Sequence, residues 1–200
     1  MSRGMLTEEI KSKNLKLFFT KLEELGVNIH TLQEKYGELL KNASYSNNSF
    51  EDLAYDGSLL KTVLYMLTPI ALEENETFKN FKVDKNKLIK VCLLQHVSKA
   101  VRMVPNNNKW EIENRGFVYK YREDNPSIKT GLHSVALMSE CNIQLSPDEI
   151  EAMTIIDKDC NDTQSYLFSS ILTEVVRIAN SKTYLISRES KKQKNGENKK

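Results

Sequence analysis

The feature that most constrains this chain is its scarcity of helix-breaking residues. Only 7 Gly and 4 Pro occur among its 200 residues. Because an interior Gly or Pro weakens or ends a helix, a chain this poor in both has room for long helices. Apolar residues recur at three- and four-residue spacing in several segments, which is typical of amphipathic helices. The sequence therefore predicts an all-α helical bundle, to which a small β-hairpin is added.

Two short helices are predicted at the N-terminus. Thr7 precedes two acidic residues and is a candidate helix cap, while Gly26 marks the predicted end of the first helix. Thr31 and Glu34 have the spacing of a capping box, which predicts the start of the second helix. Together they indicate an N-terminal helical hairpin.

The remaining predicted helices have start signals of the same kind. Pro69 predicts that the third helix kinks or ends near Thr68. The helix that starts at Asp84 is expected to reach about Met103. Ser146 and Pro147 form a strong start signal, because Ser caps a helix and Pro suits its first position. The predicted starts are, in chain order, Asp56-Gly57-Ser58, Asp84, Ser127 (for a helix to about Glu140), Ser146-Pro147 and about Thr163 (for a helix to Ile186).

Residues 110–121 alternate between apolar and polar on both sides of Asn114-Arg115-Gly116, which predicts a β-hairpin. Its aromatic residues are interleaved with basic ones. Such a surface can anchor a protein interface or stack on single-stranded nucleic acid. The alternative is a hairpin that buries one face on the bundle. The candidate interaction residues are Trp110, Arg115, Phe117, Tyr119 and Tyr121.

Charge is concentrated at the C-terminus. Residues 188–200 hold six basic and two acidic side chains, a net of +4 against +2 for the whole chain, so the remainder carries −2. The body is therefore not a basic nucleic-acid binder by charge. Nucleic acid or an acidic partner is predicted to contact the tail alone, through Lys191, Lys192 and Lys194, unless this tail is simply solvated.

Cysteine use and hydropathy favour a reducing cytoplasm without membrane contact. The three cysteines are odd in number and widely spaced, which disfavours a disulfide framework. No apolar run approaches the roughly 18–20 residues that span a bilayer. The Lys- and Asn-rich, Gly-poor composition indicates an AT-rich genome, such as that of a phage or its host. A phage-encoded chain of this kind is expected in the virion.

Catalytic constellations are weak. The sequence has no phosphate-binding loop, dinucleotide fingerprint or nucleophile elbow, so no cofactor is predicted. Cys92 and His96 lie four residues apart on one predicted helix, and with His133 they would make a partial zinc site. A buried Cys beside a hydrogen-bonded His is the preferred interpretation, because a free Cys usually behaves as a small hydrophobe.

Two segments carry a resemblance to a known family. Gly57-Ser-Leu-Leu-Lys-Thr62 is similar to Gly-Gly-Leu-Leu-Glu-His, and Leu93-Leu-Gln-His-Val-Ser-Lys99 is similar to Leu-Leu-His-Asp-Leu-Cys-Lys. With the order of the predicted elements, residues 45–186 resemble the HD-domain metal-dependent phosphohydrolases. The resemblance implies an HD-like helical domain.

The resemblance also implies that the family's metal ligands are replaced, although Lys99 matches. Thr and Gln are weak metal ligands, while Ile and Val are not ligands at all. A metal is what activates water in such enzymes, so a degenerate, non-catalytic chain is expected. The positions that correspond to the family's ligands are Thr62, Gln95, His96, a residue near Thr130, a residue near Ile156, and Val176, the last uncertain by one helical turn.

The sequence thus predicts an N-terminal extension over residues 1–44, an HD-like domain over 45–187 and a basic tail over 188–200. The expected function is a structural or interaction component of a larger assembly. Two alternatives stay open. One is a divergent phosphohydrolase with a metal held by His96, His133 and an acid, and the other is a regulatory module that binds a nucleotide.

Overall fold

The structure is a computed structural model that describes residues 6–49, 53–72, 83–124, 128–155 and 169–183, except the side chains of 69–72 and 155. It confirms a mainly α-helical fold with a small antiparallel sheet. The strands are β1, Met103–Pro105, and β2, Tyr119–Tyr121, in which Val104 is opposite Lys120. The helices are α1 Glu8–Glu24, α2 His30–Asn42, α3 Ser58–Leu72, α4 Lys85–Leu94, α5 Lys99–Arg102, α6 Lys109–Arg115, α7 Thr130–Glu140, α8 Pro147–Ile155 and α9, residues 171–183.

The N-terminal helices form as predicted except at the start of α2. The Thr7 side chain accepts a hydrogen bond from the Ile10 amide, and Gly26 adopts a positive φ of 74° after α1. The capping box from Thr31 to Glu34 is wrong. The Asn28 side chain instead accepts from the His30 amide at 3.2 Å, so α2 begins before Thr31 can act as its cap.

The helix predicted from Asp84 to Met103 begins correctly but is interrupted. Asp84 caps α4 by accepting from the Asn86 amide, yet α4 ends at Leu94 and a turn precedes α5. A serine from α7 stabilises this turn: Ser134 donates to the Gln95 carbonyl at 3.0 Å and accepts from the Ser98 amide at 3.1 Å. Backbone groups that lack helical partners are thereby satisfied from a distant helix.

The predicted position of the hairpin is wrong in part. Residues expected to form its first strand belong to α6, and β2 pairs with β1 instead. Asn108 caps α6 by accepting from the Glu111 amide, and Gly116 ends it with φ 70°. Since a side-chain cap and a left-handed glycine are both helix signals, they outweigh the alternation of residues 110–113.

The later helices agree with their predictions only in part. Helix α7 stops at Glu140 as predicted, but its predicted start after Ser127 is wrong, because Lys129 is extended and the helix begins at Thr130; Ser127 itself lies outside the described residues. Glu149 accepts from the Ser146 amide at 2.7 Å, which confirms the predicted start of α8. Helix α3 continues past Pro69 to Leu72, so of the two predicted outcomes, a kink or an end near Thr68, the end is wrong. The predicted last helix, from about Thr163, is wrong at residues 169–170, which are not helical and precede α9; residues 163–168 and 184–186 lie outside the described residues.

The N-terminal hairpin shares one hydrophobic core with the later helices. Helix α1 packs on α2, α3 and α4, and α7 packs on α8. No helix in the described ranges is both long and apolar enough to cross a membrane. Core residues drawn from seven helices are Phe18, Leu22, Leu40, Leu59, Val91, Met138, Met153 and Val176.

Candidate functional site

Two regions bring the predicted functional residues together. The first lies where α4 ends and is called the buried cluster; it consists of Tyr45, Gln95, His96, Lys99 and Asn180. The second is called the α6 surface; it consists of Trp110, Arg115, Phe117, Tyr119 and Tyr121.

A reciprocal amide pair forms one side of the buried cluster. Gln95 is fully buried, and its Nε2 donates to Oδ1 of Asn180 at 3.2 Å. Asn180 returns a hydrogen bond from Nδ2 to Oε1 of Gln95 at 3.1 Å. Gln95 Nε2 also lies 3.4 Å from the Cys92 carbonyl oxygen. A buried amide is stable only when its donors and acceptors have such partners.

Asn180 was missed in the sequence. The position assigned to the family's last-helix ligand was Val176, which is fully buried in the apolar core. Asn180 lies one helical turn later, within the stated uncertainty, and it is the α9 side chain that reaches Gln95. The available signal was a polar residue four positions after Val176, on the same helix face.

Thr62 and Thr130, two other positions taken from the resemblance, form their hydrogen bonds away from the Gln95–Asn180 pair. Thr62 is buried, and its hydroxyl donates to the Ser58 carbonyl of its own helix at 2.8 Å. Met66, one turn further along α3, has its Sδ 3.5 Å from Gln95 Nε2. Thr130 is the first residue of α7, and its Oγ1 lies 3.4 Å from Nη1 of Arg102. Ile156 lies outside the described residues.

His96 occupies the centre of the buried cluster. Its Nε2 lies 3.3 Å from the Tyr45 hydroxyl, and the two rings meet edge to face at 5.1 Å. Among the described residues, its buried Nδ1 has no hydrogen-bond partner of suitable geometry. Burial, aided by the positive charge of Lys99 and opposed by the Asn180 side chain, holds the pKa of His96 well below its usual range. The imidazole is therefore neutral at pH 7.

Lys99 joins the cluster to the loop that carries Tyr45. Its Nζ donates to the Tyr45 carbonyl at 2.8 Å and lies 3.7 Å from the centroid of the Tyr45 ring. A cation above an aromatic face is favourable. Tyr45 was also missed, because it lies in the Ser- and Asn-rich stretch 42–48, which predicts only a loop.

The chemistry of the cluster is that of neutral hydrogen-bonding groups and one ammonium. Burial raises the pKa of the Cys92 thiol to about 12, so Cys92 behaves as a small apolar residue. The pKa of His133 is lowered by burial and by Arg102. Within the described ranges, no three His, Cys, Asp or Glu side chains come together as a metal site. Cys92, His96 and His133 therefore do not form the partial zinc site considered from the sequence.

The α6 surface is exposed. None of the α6 residues is buried, and Trp110 is 56% exposed. The Arg115 guanidinium lies 5.1 Å from the Trp110 ring, and Arg102 lies 5.1 Å from the ring of Tyr121, which is 47% exposed. Two large aromatic residues, each paired with an arginine, are therefore available to solvent.

Two residues of the α6 surface hold it in place. The Tyr119 hydroxyl donates to Oδ1 of Asp56 at 2.5 Å, and burial together with Asp56 raises the pKa of Tyr119. Phe117 is half-buried and pairs with Asn48 in a single bridge. Lys191, Lys192 and Lys194, predicted to contact a partner, lie outside the described residues. Of the predicted interaction residues, only Trp110, Arg115 and Tyr121 are described and well exposed.

Comparison with protein-family models, with curated proteins and with solved structures gives no match. The resemblance to HD-domain phosphohydrolases therefore stays a prediction, and the geometry of the two regions is the basis for assigning a function.

Proposed function

We propose that this chain is a non-catalytic, HD-like protein that binds other proteins of a larger assembly, such as a phage particle, through the α6 surface. The observation that carries the proposal is the exposed Trp110–Arg115 pair on a helix without a buried residue. Trp, Tyr and Arg dominate binding energy at protein interfaces. Because α6 adds nothing to the core, its aromatic side chain is better explained by contact than by folding.

The buried cluster supports the non-catalytic part of the proposal. An HD-type enzyme uses imidazoles and carboxylates to hold a divalent metal. At the corresponding places this chain has Thr62, Gln95 and Asn180, whose oxygen atoms are neutral. Gln95 and Asn180 hydrogen-bond to one another. Side chains arranged in this way favour a structural role.

Site-specific photo-cross-linking tests the interaction surface. A photoreactive phenylalanine analogue replaces Trp110 in one variant and Leu132 in another, and both variants are expressed in the cells that encode the chain. Leu132 is a matched control because it is an exposed apolar residue of α7, 48% exposed. We expect discrete cross-linked proteins from position 110 only. The same pattern from both positions, or none from position 110, contradicts the proposal.

The non-catalytic assignment has its own test. We expect the purified chain, supplied with Mn²⁺, Co²⁺ or Ni²⁺, to release no phosphate from a panel of nucleotides and to retain little metal by elemental analysis. A bound metal in one-to-one ratio, with turnover that is lost in His96→Ala, would revive the phosphohydrolase alternative.

Restoring the family's ligands tests the HD-like interpretation. The variant Thr62→His, Gln95→His, His96→Asp, Asn180→Asp places ionisable ligands at the four corresponding positions. If the resemblance is correct, we expect divalent metals to bind this variant and raise its unfolding midpoint, since a ligand that binds only the folded state stabilises it. The control variant carries only Thr62→His and His96→Asp, so it keeps Gln95 and Asn180. Absence of metal binding in the folded fourfold variant counts against the HD-like assignment.

The second candidate is a regulatory module that binds a nucleotide. It is favoured by the buried Nδ1 of His96 and the nearby ammonium of Lys99, which would suit an anionic ligand. A nucleotide at one hundred times its dissociation constant would stabilise the fold by about 2.7 kcal/mol. A thermal-shift panel that shows no midpoint change for any nucleotide removes this candidate.

A further inference from the structure

Residues 43–49, called the strap, run between the buried cluster and the α6 surface. At the cluster, Tyr45 is held by its backbone and its side chain together. Its carbonyl accepts from Lys99, its hydroxyl meets His96, and its amide donates to the Ser58 hydroxyl at 2.8 Å. Tyr45 is therefore fixed by α3, by His96 in the turn between α4 and α5, and by Lys99 at the start of α5.

The other end of the strap is bonded to the segment that follows α6. The Ser49 amide donates to the Gly116 carbonyl at 2.7 Å, and the Tyr119 amide donates to the Asn47 carbonyl at 3.2 Å. Only three residues lie between Tyr45 and Ser49. We expect a segment this short to pass a displacement of one end on to the other.

Helix α6 has few other attachments that could resist such a displacement. It has no buried side chain, although Glu111 and Ile112 are half-buried, so the hydrogen bonds at its two ends contribute much to its position. Its first turn is tied to Asn106, which donates to the Glu111 carboxylate at 2.8 Å. Its last residue precedes Gly116, whose carbonyl binds the strap. The strap is thus a principal support of the end that carries Arg115.

We propose that the strap couples the buried cluster to the α6 surface, so that the contacts of Tyr45 set how Trp110 and Arg115 are presented. The purpose of this coupling rests on the proposed function, because it would adjust a docking surface. The coupling itself is a property of the isolated chain. It can therefore be tested without a partner.

Hydrogen exchange and tryptophan fluorescence measure the coupling in two variants. Tyr45→Phe removes the hydroxyl that meets His96, and Lys99→Met removes the ammonium. We expect the amides of Ser49 and Tyr119 to exchange roughly three- to tenfold faster in each variant, as the loss of about one hydrogen bond predicts. Trp110 is the only tryptophan, so its emission reports on α6 directly. We expect the emission of both variants to differ from that of the parent chain.

Tyr36→Phe is the matched control. It also removes a tyrosine hydroxyl from a hydrogen bond, here to Glu140 at 3.0 Å, but on the contact between α2 and α7. We expect it to leave the Ser49 and Tyr119 amides and the Trp110 emission unchanged. Selective acceleration in either test variant supports the coupling. Unchanged exchange in both, or acceleration shared evenly by amides of α1, α2 and α7, overturns it.

The two proposals fail separately. A chain that cross-links through position 110 but shows no selective exchange keeps its docking surface and loses the coupling. Selective exchange without cross-linked partners keeps the coupling and removes the docking function. Each measurement therefore addresses one proposal alone.

Discussion

The polar residues in the interior of the bundle and the Trp–Arg pair of the α6 surface have opposite surroundings. In the interior, Gln95 and Asn180 satisfy one another, and Ser134 completes the turn beside them. On α6, the Arg115 guanidinium lies over the Trp110 ring, and both residues are exposed. The difference implies that interior residues contribute mainly to the stability of the fold, whereas α6 residues are available for contact. Substitutions should therefore separate the two regions by their effect on unfolding.

The largest effect is expected at the close approach of α7 and α8. A Cβ added to Gly131 would lie 1.7 Å from the carbonyl oxygen of Met153, so the two helices would have to move apart. We expect Gly131→Ala to lower the free energy of unfolding by about 3 kcal/mol, measured by urea denaturation. Gly37→Ala is the control, because the added Cβ meets only the Gln33 side chain, at 3.9 Å. That change should stabilise α2 by about 0.5–1 kcal/mol. Equal effects at the two glycines would contradict the tight interior.

The amide pair should give the next largest effect. Asn180→Leu leaves the amide of the fully buried Gln95 short of a partner, and we expect a loss of about 2 kcal/mol in the free energy of unfolding. Gln95→Leu should cost less, because Asn180 is only half-buried and can reach water. The double variant should be more stable than the sum of the single losses predicts, by about 1 kcal/mol.

Gln33→Leu is the matched control for the amide pair, since Gln33 is an exposed amide on α2. We expect its effect to stay within about 0.5 kcal/mol. Additive losses in the double variant would show that the two amides contribute to stability independently. The interior would then no longer differ from the surface in having residues that depend on one another.

Local chemistry made part of this fold predictable. Thr7, Asp84 and Ser146 each start a helix through a side chain that bonds an amide two or three residues away, or through a carboxylate that reaches back. Such contacts are set by neighbours in the sequence, so a short pattern is enough to identify them. The small sheet was also expected, but its first strand was placed in residues that form α6.

The remaining features depend on residues far apart in the chain. The turn after Leu94 is completed by Ser134, and Gln95 is paired with a residue 85 positions later. The periodicity of one segment does not predict which residue of another segment will contact it. The resemblance assigned the α9 position to Val176 by spacing alone, whereas the α9 residue that contacts Gln95 is Asn180. A sequence pattern therefore located the cluster but not its partners.

A third, smaller effect is the pH dependence of the free energy of unfolding that arises from His96 in the interior. Because His96 has a lowered pKa in the folded chain and a value of about 6.5 when unfolded, the unfolded chain takes up the proton first as pH falls. Stability from this group is complete above about pH 6.5 and is lost as the pH falls from there toward the folded pKa. We expect a loss of about 1 kcal/mol at pH 5.5 relative to pH 7.5.

Comparison with His96→Gln isolates this contribution from that of other groups. The pKa of His133 is also lowered, but His133 is present in both the parent chain and the variant, so it affects both curves alike. The carboxyl groups of Asp148 and Glu140, whose pKa values are lowered by their hydrogen bonds, respond at more acidic pH. We expect the variant to lose less stability than the parent between pH 7.5 and 5.5. Parallel curves would mean that His96 is already accessible to protons in the fold.

The smallest effect on the free energy of unfolding is expected at Trp110, the exposed aromatic residue of α6. Truncating a buried Trp usually costs about 3–5 kcal/mol, because the side chain leaves a large cavity. Trp110 lies on a helix without buried residues and contacts Arg115, so Trp110→Ala should change the free energy of unfolding by no more than about 0.5 kcal/mol. Urea denaturation followed by circular dichroism measures this without the tryptophan signal. A loss above about 1.5 kcal/mol would place Trp110 among the residues that hold the fold together and would remove the reason to regard α6 as a surface kept for contact.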